Sequence, residues 1–134
     1  MVDGSERTVV LDAGAVIGLA RNNRELRAFF TLAQRKGAEI RVPMVVVAET
    51  VRGNGPRDAP VNLVLAQTAP QQPLVESIAR TAGELLGAAR LSSTIDALVV
   101  AEALDCAPAI ILTSDPADVT RLLGDRRGVT VEPI

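Results

Sequence analysis

The chain has 134 residues and a mass of 14.0 kDa, with 48% hydrophobic and 22% charged residues, 10 Gly and 8 Pro. That size suits one domain able to remove about 65–70% of its unfolded surface from water, and the composition excludes a disordered chain, a collagen-like repeat and a disulfide scaffold. Fourteen Lys plus Arg against 16 Asp plus Glu leave a net charge of −2, a total that by itself argues against a nucleic-acid binder.

Thr8 to Leu11 is a short β-branched and aliphatic run that reads as a buried strand, ended by Asp12. Ala13 to Ala20 follows as a helix of small residues. Asn23 is placed to cap a second helix over Arg24 to Arg35, with Leu26, Phe29, Phe30 and Ala33 at helical spacing and Gly37 as its stop. Glu39 to Val42 reads as a second strand. Pro43 suits the first position of a helix continuing through Met44 to Val51, up to the break Gly53-Asn54-Gly55-Pro56. Asp58 is placed to cap a helix over Ala59 to Gln67. Pro70 to Pro73 is a connector, followed by a short strand near Leu74-Val75. Ile78 to Leu91 is amphipathic and helical. Ser92 or Ser93 caps the next helix, with Ser93-Thr94-Ile95-Asp96 in capping-box form, running to about Asp105. Ala109 to Leu112 is a strand, Pro116 to Leu123 a helix, and Val129 to Val131 a last strand. Short apolar strands alternating with amphipathic helices predict an α/β fold, a three-layer α/β/α sandwich around a mainly parallel four- to five-stranded sheet. No repeat or linker divides residues 1–134, so a single domain is expected.

Missing residue types narrow the chemistry. There is no His, so no imidazole base and no Ser-His-Asp triad. Cys106 is alone, which excludes an intramolecular disulfide and a cysteine zinc cluster and leaves it as a small hydrophobe. Lys36 is the one lysine beside 13 arginines. No apolar run approaches the ~20 residues of a membrane span, and the polar N-terminus Met1 to Arg7 is unlike a secretory leader. A cytoplasmic location is the expectation.

Four carboxylates sit in apolar company. Asp12 closes Val9-Val10-Leu11, Glu49 ends Val45-Val46-Val47-Ala48, Asp96 interrupts Ile95 to Ala101, and Asp115 follows Ile110 to Ser114. Ionising a carboxylate there is costly without a compensating cation. Asp12 and Asp115 lie just past predicted strands, and parallel strands open their C-terminal ends on one edge. Glu49 and Asp96 stand near helix starts that can reach that edge. Each also has a local explanation: Asp12 as a helix cap, Glu49 as a partner of Arg52, Asp96 as part of the capping box, Asp115 as the cap before Pro116. Together they predict a cluster that a divalent cation, Mg²⁺ or Mn²⁺, would neutralise.

In sequence, Val9-Val10-Leu11-Asp12-Ala13, Pro43 to Arg52, Ile95 to Ala103 and Ile110 to Val119 resemble the four motifs of PIN domains over nearly the whole chain, and the size is most similar to that of the VapC toxins of toxin–antitoxin pairs. The resemblance implies a Mg²⁺- or Mn²⁺-dependent endoribonuclease. It would hold its metal on Asp12, Glu49, Asp96 and Asp115, with Asp118 as an auxiliary acid, and cleavage would leave a 5′-phosphate. Thr113 and Ser114 match hydroxyl positions that orient a carboxylate or bind phosphate. Gly14 departs from the Ser or Asn common there, removing a polar contact near Asp12. The resemblance also implies a cognate antitoxin as partner and self-association as a homodimer.

Arg21, Arg24, Arg27, Arg52 and Arg57 are candidate RNA contacts, Arg52 first because it stands three residues from Glu49. Adjacent Phe29 and Phe30 cannot both face one core, so one is expected at a dimer or antitoxin interface. A phosphorelay receiver domain would need paired acids at the first strand and a lysine near the last, and this chain has neither. A non-catalytic scaffold of the same fold is the remaining rival. Setting aside four site acids leaves 12 acids against 14 bases, a balance of +2, so the acidic total does not exclude an RNA substrate.

Overall fold

The structure, a computed structural model, describes residues 7–134; the polar segment before Arg7 lies outside the described residues. Strand β1 (Thr8–Leu11) leads to helices α1 (Ala13–Ala20) and α2 (Arg24–Arg35), then β2 (Glu39–Arg41), α3 (Met44–Thr50), α4 (Gly55–Ala66), α5 (Glu76–Ala89) and α6 (Thr94–Asp105). Strand β3 (Ala109–Thr113), helix α7 (Pro116–Leu123) and strand β4 (Val129–Pro133) follow. The four strands form one all-parallel sheet in the order β2-β1-β3-β4, with Val9 opposite both Ile40 and Ile110, and Ile110 opposite Thr130.

The pairing explains the strand sequences. Helices cover both faces of the central strands, so Val9, Val10, Leu11, Ile111 and Leu112 are all buried without alternation. Helix α1 packs on β1 and β3 together with α2, α3 and α4, while α6 packs on the same two strands and carries α5 and α7 beside it. Val16, Leu19, Val46 and Val64 fill the core on the α1 side, and Leu85, Val99, Val100 and Leu122 belong to the same continuous cluster. No helix among the described residues is long and apolar enough to cross a membrane.

Several local expectations are corrected. Leu74-Val75 forms no strand, and among the described residues the sheet has four strands, within the expected four to five. Pro70 and Pro73 lack the N–H groups a ladder needs, and the connector reaches the sheet through Ala69 N–H, which donates to the Ile40 carbonyl at 2.8 Å. Pro43 stands one residue earlier than expected, at the N-cap of α3. Asp58 does not cap a helix. Helix α4 begins three residues before it, capped by Asn54, whose side chain accepts from Arg57 N–H. The buried Asp58 carboxylate instead accepts from the backbone N–H groups of Arg52, Gly53 and Asn54 and pairs with Arg57 at 2.9 Å. Burial pushes its pKa up, but those four donors outweigh it and hold the carboxyl below its ordinary value. Asp58 thereby ties the loop after α3 to the start of α4. The capping box at Ser93 is also not formed: Ser93 occupies the N-cap of α6, yet its side chain makes no capping bond.

Candidate metal centre

Because the sheet is all parallel, β1 and β3 end side by side, and the residues following them share one edge. Asp12 N–H continues the ladder by donating to the Leu112 carbonyl at 3.1 Å. Its carboxylate is 6% exposed and bridges two segments, accepting from Ala15 N–H at 2.9 Å and from Ser114 N–H at 3.0 Å. Asp12 is therefore both the cap of α1 and a fixed negative charge at the strand edge. The two roles coexist.

Thr113, fully buried, accepts through Oγ1 from Asp115 N–H at 2.8 Å and so sets the turn that presents Asp115. Asp115 caps α7, accepting from Asp118 N–H at a long 3.5 Å. Asp96 lies in the first turn of α6. One carboxylate oxygen from each of Asp96, Asp115 and Asp118 lies within 4.8 Å of the others. Burial raises the Asp96 carboxyl to about 6, with the negative charges of Asp115, Asp12, Asp118 and Glu49 adding to the rise in that order. All five acids thus bear on one place. Asp96, Asp115 and Asp118 form its tight centre, Asp118 included, while Asp12 and Glu49 act on it from farther out.

Glu49 is half-buried on α3 and forms no ion pair among the described residues. The expected link to Arg52 is replaced: the exposed Arg52 guanidinium donates to the Ala48 and Val51 carbonyls at 2.9 and 3.0 Å, closing the end of α3. Arg57 is occupied by Asp58 and by the Thr50 carbonyl. Arg21 and Arg24 are exposed, and Arg27 reaches Gln67 at 3.5 Å. Phe30 is buried in the core, whereas Phe29 is half-buried and lines a cleft of about 140 Å³ with Leu26, Leu112 and Ile134. Cys106 is a partly buried free thiol, and burial raises its pKa.

Gly14 has a steric reason. A Cβ built there would lie 2.1 Å from Ser114 Oγ and 2.5 Å from Ser114 Cβ. The Ser114 side chain, arriving from the end of β3, fills the volume that a residue-14 side chain would need beside Asp12.

The sequence presents Ser93 only as a helix cap, not as part of the acidic site. Its hydroxyl donates to Asp118 Oδ2 at 3.1 Å, across 25 residues. The Ser-x-x-Asp spacing was the available signal, but it serves a local cap and a distant carboxylate equally well.

The donor set is all carboxylate oxygen, and the surrounding acids raise the cost of ionising Asp96. This chemistry fits a hard dication such as Mg²⁺ or Mn²⁺. No family model matches the sequence, and no curated protein does. Among solved structures, a chain in the crystal structure of VapBC2 from Rickettsia felis bound to a DNA fragment from their promoter is similar with a TM-score of 0.75. The match covers 95% of this chain and 98% of that one at 14% identity. The shared feature is the fold: this chain has the PIN fold, among its described residues a parallel four-stranded sheet between helical layers.

Proposed function

We propose that the chain is a metal-dependent endoribonuclease acting as the toxin of a toxin–antitoxin pair. The observation carrying this reading is the meeting of Asp96, Asp115 and Asp118 within 4.8 Å at the edge where Asp12 and Glu49 add their charge. Asp96, Asp115 and Asp118 would hold a Mg²⁺ or Mn²⁺ ion, with Asp12 completing its surroundings. When bound, such an ion supplies an acidified water and neutralises charge on a scissile phosphate.

The chain's own residues divide the remaining work. Asp12, held by two backbone N–H groups, cannot swing away from the edge. Glu49 has no cationic partner among the described residues and is free to accept a hydrogen bond from the attacking water or to hold a second ion. Thr113 fixes the turn bearing Asp115, and the exposed Ser114 stands beside Asp12 to meet a phosphate oxygen. Arg21, Arg24 and Arg52 are exposed for RNA backbone contact, Arg52 while closing α3. A cytoplasmic location, a homodimer and a cognate antitoxin belong to the same reading. The VapBC2 assembly, similar in fold, supports a protein partner of that kind.

Purified protein should cleave single-stranded RNA with Mg²⁺ or Mn²⁺, lose cleavage in EDTA, and lose it in Asp96→Asn and Asp115→Asn variants that remain folded. Cleavage that persists in both variants would refute the site. Metal-independent partner binding with no cleavage would favour the scaffold reading.

A further inference from the structure

We infer that Ser93 is a positioning residue of the metal centre, holding Asp118 in the acidic group; the inference rests on the metal-site reading above. Ser93 stands at the N-cap of α6, three residues before Asp96, where a serine hydroxyl ordinarily accepts from a backbone N–H of the first turn. It makes no such bond. Its hydroxyl instead donates to Asp118 Oδ2 at 3.1 Å, a contact between α6 and α7 with both partners half-buried.

Asp118 needs an external hold. One of its carboxylate oxygens lies within 4.8 Å of oxygens of Asp96 and Asp115, and like charges at that spacing push the half-buried side chain away from them. Among the described residues, Ser93 is the one donor to this carboxylate. A hydrogen bond to an ionised acceptor is strong and directional. It fixes Oδ2 and leaves Oδ1 available. Removing such supporting donors typically costs 10- to 100-fold in metal affinity.

The test is calorimetric titration of wild type, Ser93→Ala and Ser93→Thr with MnCl₂ and MgCl₂, beside melting temperatures in EDTA. Ser93→Ala should bind metal about tenfold more weakly, melt in EDTA within about a degree of wild type, and recover affinity as Ser93→Thr. Equal metal affinity in wild type and Ser93→Ala overturns the inference, as does a fall of several degrees in EDTA, which would assign the hydroxyl to helix capping. No metal binding by wild type overturns the metal-site reading instead.

Discussion

Replacing Asp96 with Asn should stabilise the protein without metal and weaken it, relative to wild type, with metal. The Asp96 carboxyl rises from an ordinary 3.8 to about 6 through burial and the charges of Asp115, Asp12, Asp118 and Glu49. At about 1.4 kcal/mol per pH unit this amounts to at most about 3 kcal/mol, and partial solvent screening reduces it to about 1–2 kcal/mol. A raised acid favours its protonated form in the fold. The cost is therefore fully present above about pH 6 and fades as pH falls toward 3.8, where folded and unfolded states are both protonated. Asn keeps the shape and carries no charge. In EDTA at pH 7.5, Asp96→Asn should melt roughly 3–8 °C above wild type, and the gain should vanish near pH 4. Saturating Mg²⁺ should reverse the order, because an ion at 100 times its dissociation constant adds about 2.7 kcal/mol to wild type alone. Scanning calorimetry across pH, with and without Mg²⁺, reads both effects. A variant less stable than wild type in EDTA, or a difference independent of pH, would refute the electrostatic account.

Glu102 is buried on α6, and burial raises its carboxyl despite the opposing charge of Arg41, with Asp105 adding to the rise. Glu102→Gln should raise the melting temperature at pH 7, with the gain lost as pH falls through the carboxylate range; no gain at pH 7 would contradict it. Asp58→Asn should lower the urea midpoint at pH 7. Because the Asp58 carboxyl is held below its ordinary value, this loss should shrink only when pH drops beneath the usual carboxylate range. Gly14→Ala should cost about 1–3 kcal/mol through the clash with Ser114. Most of that cost should disappear in a Ser114→Gly background, and an equal cost there, measured by urea unfolding, would reject the clash.

The central strands were legible because burial on both faces leaves no polar residue in Val9 to Leu11 or Ile110 to Leu112. Their parallel pairing sets Asp12 and Asp115 on one edge. Leu74-Val75 misled because two strand-prone residues carry no information about a partner, and the flanking prolines weaken any ladder. Asp58 misled because its donors, at residues 52–54, belong to a loop whose N–H directions leave no periodic trace. Ser93 and Asp118 depended on α7 settling beside α6, a tertiary event that the local spacing at Ser93 cannot encode. Ser114 over Gly14 is of the same kind.

The sheet order β2-β1-β3-β4 sets when the acidic centre can exist. Asp12 follows the first strand and Asp118 lies in the last helix, and the ladder joining their two ends pairs strands about a hundred residues apart. During synthesis, at about 5–20 residues per second, the ribosome releases Asp12 several seconds before Asp115. A growing chain that has not yet extruded β3 and α7 carries no assembled centre. The topology therefore delays the gathering of these carboxylates until β3 and α7 have emerged and β3 has paired with β1.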